Sequence, residues 1–102
     1  MSLYDIFCKL AQIENGLAYG EIMFSFDNMM SAFKPGHPVD ILDDIFGNIG
    51  NELYFDPDAD IDKDELEEVL HNLKEFKKAF KVKELRKPIK ELELYLHPKT
   101  ED

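Results

Sequence analysis

The run Leu66-Glu67-Glu68-Val69-Leu70-His71-Asn72-Leu73-Lys74-Glu75-Phe76-Lys77-Lys78-Ala79-Phe80 decides the fold class. Its apolar members Leu66, Val69, Leu70, Leu73, Phe76 and Phe80 recur at three and four residues, the period of one face of an α-helix. Asp62 or Asp64 ahead of the run suits an N-cap, and the acids of the first turn complement the positive end of the helix dipole. Lys74, Lys77, Lys78 and Lys81 follow at the far end, where cations are favoured.

Outward from this helix the same period recurs. Leu42, Ile45, Phe46, Ile49 and Leu53 form a stripe that predicts a helix over 39–54, opened by Pro38 and by Asp40, Asp43 and Asp44, and stopped by Pro57. Gly47 and Gly50, about a turn apart, either admit a close neighbour or loosen the second half of that helix. Lys34-Pro35-Gly36-His37-Pro38 is turn chemistry. Before it, Ile22, Phe26, Met29, Met30 and Phe33 share a helical face and predict a second helix over 17–33, although Gly20 costs it up to about 1 kcal/mol relative to Ala. A strand through Ile22, Phe24 and Phe26 competes, but the spacing past Asp27 returns to three and four. Leu3, Ile6, Phe7 and Leu10 predict a first helix over 2–14, with Gly16 just past its end. Asn15-Gly16 also suits a hairpin turn, yet no period-two alternation precedes it.

Towards the C-terminus, Leu85, Ile89, Leu92 and Leu96 with Pro88 predict a short fifth helix, whereas Leu92, Leu94 and Leu96 alternate as in an extended tail; residues 97–102 are expected to fray. The expected fold is all-α: one domain over 1–102, an antiparallel four-helix bundle with a short fifth helix or extended C-terminal tail.

At 102 residues and 44% apolar content with eight Phe, the chain has material for one hydrophobic core. Charge is unevenly placed: residues 1–68 hold sixteen acids and three bases, residues 69–102 six acids and nine bases. A net charge of −10 argues against nucleic acid and anionic membranes as partners and favours a basic protein or a cation. Cys8 is alone, so no intrachain disulfide forms, and it is expected to pack as a small apolar side chain. With no signal-like start and no apolar run near the roughly 18 residues of a membrane span, a cytoplasmic location is expected.

The acids concentrate in Tyr54-Phe55-Asp56-Pro57-Asp58-Ala59-Asp60-Ile61-Asp62-Lys63-Asp64-Glu65-Leu66-Glu67-Glu68, eight carboxylates in fifteen positions. Asp56, Asp58, Asp60, Asp62, Asp64 and Glu67 fall on positions 1, 3, 5, 7, 9 and 12 of a calcium loop. Ile61 stands where that loop needs glycine and Lys63 where it usually has an aliphatic residue, so no metal is expected. A solvated loop that caps the next helix is the simplest account, but capping needs only one or two carboxylates, and their mutual repulsion points to a cationic partner. His37, His71 and His97 have no metal-ligand spacing and His71 is expected to be half-buried. There is no phosphate-binding glycine loop, no nucleophile elbow and no activator for Cys8, so no catalytic residue and no cofactor are expected. Met29 and Met30 are expected to be core filler.

The run Tyr54-Phe55-Asp56-Pro57-Asp58-Ala59-Asp60, between an Ile/Phe-rich helix and an acidic helix start leading to Leu-Lys-Glu-Phe, resembles the corresponding stretch of the colicin D immunity protein family. The likeness covers mainly residues 50–78 and more weakly 3–33, and residues 83–102 depart from the pattern as an added basic tail. Those are small acidic helical-bundle proteins. The resemblance implies binding and neutralisation of a tRNA-cleaving toxin domain, whose basic cleft is plugged by carboxylates standing in for RNA phosphates. It carries Asp56, Asp58 and Asp60 over as toxin contacts. Asp62, Asp64, Glu65 and Glu68 extend the same face by position, Asp43 and Asp44 join if the two helices lie side by side, and Tyr54 and Phe55 would be apolar anchors. A divalent-cation module and an acidic mimic of nucleic acid that blocks a DNA-binding protein are the competing readings.

Overall fold

The computed structural model describes residues 2–25 and 37–98, which form four α-helices and no strand: α1 (Leu3–Ala18), α2 (Pro38–Phe55), α3 (Lys63–Phe80) and α4 (Arg86–Leu96). A 3-10 turn, Lys83–Leu85, leads into α4. The starts of α1, α2 and α3 each carry a side-chain cap. The Asp5 N–H donates to Ser2 Oγ at 3.2 Å at the head of α1, and the Val39 N–H donates to His37 Nδ1 at 3.2 Å where Pro38 opens α2. Asp62, the N-cap of α3, accepts from the Asp64 N–H at 2.9 Å.

The apolar stripes meet in one core whose fully covered members include Leu10, Leu42, Leu73, Phe76, Phe80, Leu85 and Leu92. No buried residue in it is polar or charged among those described. Helix α1 packs on α2 and α4, and α3 packs on α2 and α4, so each helix has two neighbours. Phe7 meets Phe46 edge-on at 6.0 Å between α1 and α2, while Phe76 and Phe80 stack at 4.6 Å within α3. Ion pairs Lys9–Glu91 at 2.8 Å and Lys74–Glu93 at 2.6 Å bind α4 to α1 and α3. A Cβ on Gly50 would sit 3.4 Å from Phe46 and 3.9 Å from Phe7, ordinary contact, so the approach of α1 does not demand glycine there. No described helix is long and apolar enough to cross a membrane.

Four expectations are corrected. Gly16 does not stop α1, which runs on to Ala18; Gly20, at φ 76°, ends it instead. The Glu21 N–H donates to Gly16 O at 2.8 Å and the Gly20 N–H to Leu17 O at 3.4 Å, the pair of bonds that closes a helix on a left-handed glycine. The second helix expected over 17–33 therefore fails at its start: Leu17 and Ala18 belong to α1, and 19–25 is a turn followed by irregular chain. Ile22 folds back onto Gly16, and the Ser25 N–H donates to Phe80 O at 2.9 Å, so this segment's bonds go to α1 and α3 and not to a helix of its own. Phe26, Met29, Met30 and Phe33 lie outside the described residues.

The C-terminal segment is helical, making α4 the last of four helices among the described residues and not a fifth. Pro88 sits in its first turn, where a missing N–H costs nothing, and the strand alternative fails because Leu94 is 40% exposed while Leu92 and Leu96 are buried. His71 is exposed, not half-buried. His97 caps α4, and residues 99–102 lie outside the described residues.

Candidate functional site

The acidic segment links α2 to α3. Asp56 takes an extended conformation at φ −144°, Pro57 cannot continue the helix, and the Asp56 N–H makes the last bond of α2 to Glu52 O at 3.0 Å. Asp56 then turns the chain. Its Oδ1 accepts from the Asp58 N–H at 3.2 Å and its carbonyl from the Ala59 N–H at 2.9 Å. From there burial alternates residue by residue. Ala59 and Ile61 pack partly against the core, whereas Asp58, Asp60 and Asp62 are exposed. Two small apolar anchors thus hold the loop down and turn its carboxylates outward. Ile61, which spoils the calcium pattern, is one of those anchors.

Tyr54 and Phe55 end α2 beside this loop, 72% and 84% exposed, with their rings edge-on to each other at 5.3 Å. Neither is core material. They are large apolar surfaces left to solvent next to four exposed aspartates, Asp56, Asp58, Asp60 and Asp62.

Further along, α2 and α3 flank a surface cleft of about 230 Å³ lined by Asp44, Ile45, Asn48, Ile49, Glu65, Glu68 and Val69. Asp44 is therefore brought to Glu65 and Glu68, as side-by-side packing of the two helices required. Asn48 was missed in the sequence, where nothing but its place one turn after Asp44 marks it. Asp64 and Glu65 stand in the first turn of α3.

Asp43 does not line this cleft. It faces Glu14 of α1, whose carboxyl is pushed above its usual range first by burial, then by the charge of Asp43 and a hydrogen bond with it. Glu67 is likewise engaged elsewhere, 2.6 Å from His97 Nε2 at the end of α4. Among the described residues no three His, Cys, Asp or Glu side chains converge as a metal-binding group. Of the candidates named from sequence, the structure gathers Tyr54, Phe55, Asp56, Asp58, Asp60 and Asp62 along one edge and Asp44, Glu65 and Glu68 along the adjoining cleft, with Asp64 between.

Such an edge offers charge-assisted hydrogen bonds to Lys and Arg side chains and two rings to fill a pocket, which is the equipment of a protein interface. Compared with protein-family models, with curated proteins and with solved structures, the chain matches none.

Proposed function

We propose that this chain is an immunity protein: a cytoplasmic, noncatalytic inhibitor that binds a basic nuclease toxin domain one to one and occludes its active site. The single observation that carries the reading is the loop of alternating burial, in which Ala59 and Ile61 are anchored and Asp58, Asp60 and Asp62 are turned out, beside the exposed rings of Tyr54 and Phe55. A nuclease cleft is built to attract a row of phosphates, and a fixed row of carboxylates competes for the same lysines and arginines. The likeness of Tyr54-Phe55-Asp56-Pro57-Asp58-Ala59-Asp60 to the colicin D immunity family supports a tRNA-cleaving toxin as the partner. The cyclic packing of α1 to α4 is compatible with an antiparallel four-helix bundle, the frame such an edge requires to stay rigid.

The test is a variant with Asp56, Asp58 and Asp60 all changed to Asn, titrated against a tRNA-cleaving toxin domain encoded beside this chain. Association is expected to slow by about tenfold or more and affinity to fall with it, while thermal stability stays equal or rises because like charges are removed. Unchanged affinity in the triple variant would sink the proposal.

A further inference from the structure

At the other end of α3 the charge reverses. Lys74, Lys77 and Lys78 of α3 face Arg86, Ile89 and Lys90 of α4 across a groove of about 400 Å³, and Glu93 is the one acid lining it among the described residues. Glu93 pairs with Lys74 at 2.6 Å. Among the described residues, Lys77, Lys78, Arg86 and Lys90 make no ion pair. Lys83, Lys87 and Glu84 line a second hollow that shares Arg86 and Lys90 with this one. The groove also adjoins the start of α4, whose first turn contains no acid to complement the positive end of its dipole.

Four cations that line one groove without an ion pair among the described residues repel one another, and although the chain has net charge −10, Glu93 is the one described acid that lines it. An anion in the groove would relieve that repulsion. Its size and floor narrow the choice, because the volume is that of a small-molecule site and the buried Ile89 gives it an apolar base.

We propose that the α3–α4 groove binds a small multivalent phosphate, a di- or triphosphate chain such as nucleotides carry, held by Lys77, Lys78, Arg86 and Lys90 over Ile89. The ligand must be short. A helical rise of about 1.5 Å per residue puts the acidic first turn of α3 roughly 20 Å from Lys77, well beyond the screening length of about 8 Å at physiological salt. A short phosphate chain therefore meets the local positive field. A long polyanion would extend from the groove into the acidic edge and be repelled by it. This inference is independent of the toxin-binding edge.

Calorimetry with sodium tripolyphosphate at about 0.15 M ionic strength tests it, with ATP as a second probe and sulfate at matched ionic strength as the control. Saturable tripolyphosphate binding is expected, weakened about tenfold or more by the double change Lys77→Gln, Lys90→Gln and unaffected by Lys63→Gln in the acidic segment. Circular dichroism confirms that both variants keep their helices. ATP binding more tightly than tripolyphosphate would assign the site to nucleotides, and equal binding would assign it to the phosphate chain alone; both sustain the proposal. It is overturned if no saturable heat appears up to about 5 mM, if sulfate competes equally, or if Lys63→Gln weakens binding as much as the groove variant. Binding of a mixed RNA oligonucleotide without any of tripolyphosphate also overturns it.

Discussion

Glu14 and Asp43 place two carboxyls against each other across α1 and α2, and the sign of their effect on stability follows from the direction in which Glu14 is shifted. A carboxyl raised above its ordinary value of 4.5 binds its proton more tightly in the folded chain than in the unfolded one. Stability on this account is greatest below that value, declines as pH rises through the raised one, and is flat above it. Glu14→Gln removes the penalty. After discounting for solvent screening, it should raise the melting temperature by about 1–3 °C at neutral pH, and the gap between variant and parent should close by about pH 4. A gap independent of pH would show that packing, not charge, is responsible. Gly16 offers a second test at this scale. A Cβ there would come within 2.5 Å of Ile22 Cδ1 and 2.7 Å of Cγ1, so Gly16→Ala must displace the segment that follows α1. Because alanine is the better helix former, the substitution should destabilise by about 1 kcal/mol in the parent and stabilise by about 0.5–1 kcal/mol in an Ile22→Ala background. Chemical denaturation of the four-member cycle measures that reversal of sign.

The elements show why parts of the fold were legible in sequence and others were not. Helices α2 and α3 announce themselves through an unbroken apolar period with a proline or aspartate at the start, and the structure places them over Pro38–Phe55 and Lys63–Phe80. The segment 19–25 misled because Ile22 stands at helical spacing from residues further on, whereas its actual neighbour is the glycine notch behind it. Gly20 carried the true stop signal, but a glycine reads as a weak helix residue as readily as a left-handed cap. The acidic edge was legible as composition only. Which carboxylates face solvent depends on Ala59 and Ile61 reaching the core, a tertiary fact, and so is the approach of Asp43 to Glu14 on α1. Asp62 belongs both to that edge and to α3, and two substitutions separate the roles. Asp62→Ala should cost about 1 kcal/mol, roughly 4–8 °C in melting temperature, through loss of the cap bond to the Asp64 N–H. Asp62→Asn keeps an acceptor and removes a charge, so its melting temperature should equal or exceed that of the parent. Equal losses in both variants would mean that the charge itself, not the cap, stabilises the helix start.

On the scale of the molecule, the four described helices share one apolar core, and the surface charge is sorted along α3, acid where it leaves the loop and base where it approaches α4. Both poles hang on a single rod with opposite flanks: α2 borders the acidic cleft and α4 the basic groove. The pairing of α1 with α4 has a further effect, on how the molecule comes together. Lys9 and Glu91 are 82 residues apart in sequence, so the loop their contact closes spans most of the chain. Local turns of helix form early, but the seam between α1 and α4 closes only once α4, the most C-terminal of the described helices, has formed. Until α4 docks, α1 has one flank uncovered, so the slotting of α4 between α1 and α3 is the long-range step in assembling the four described helices.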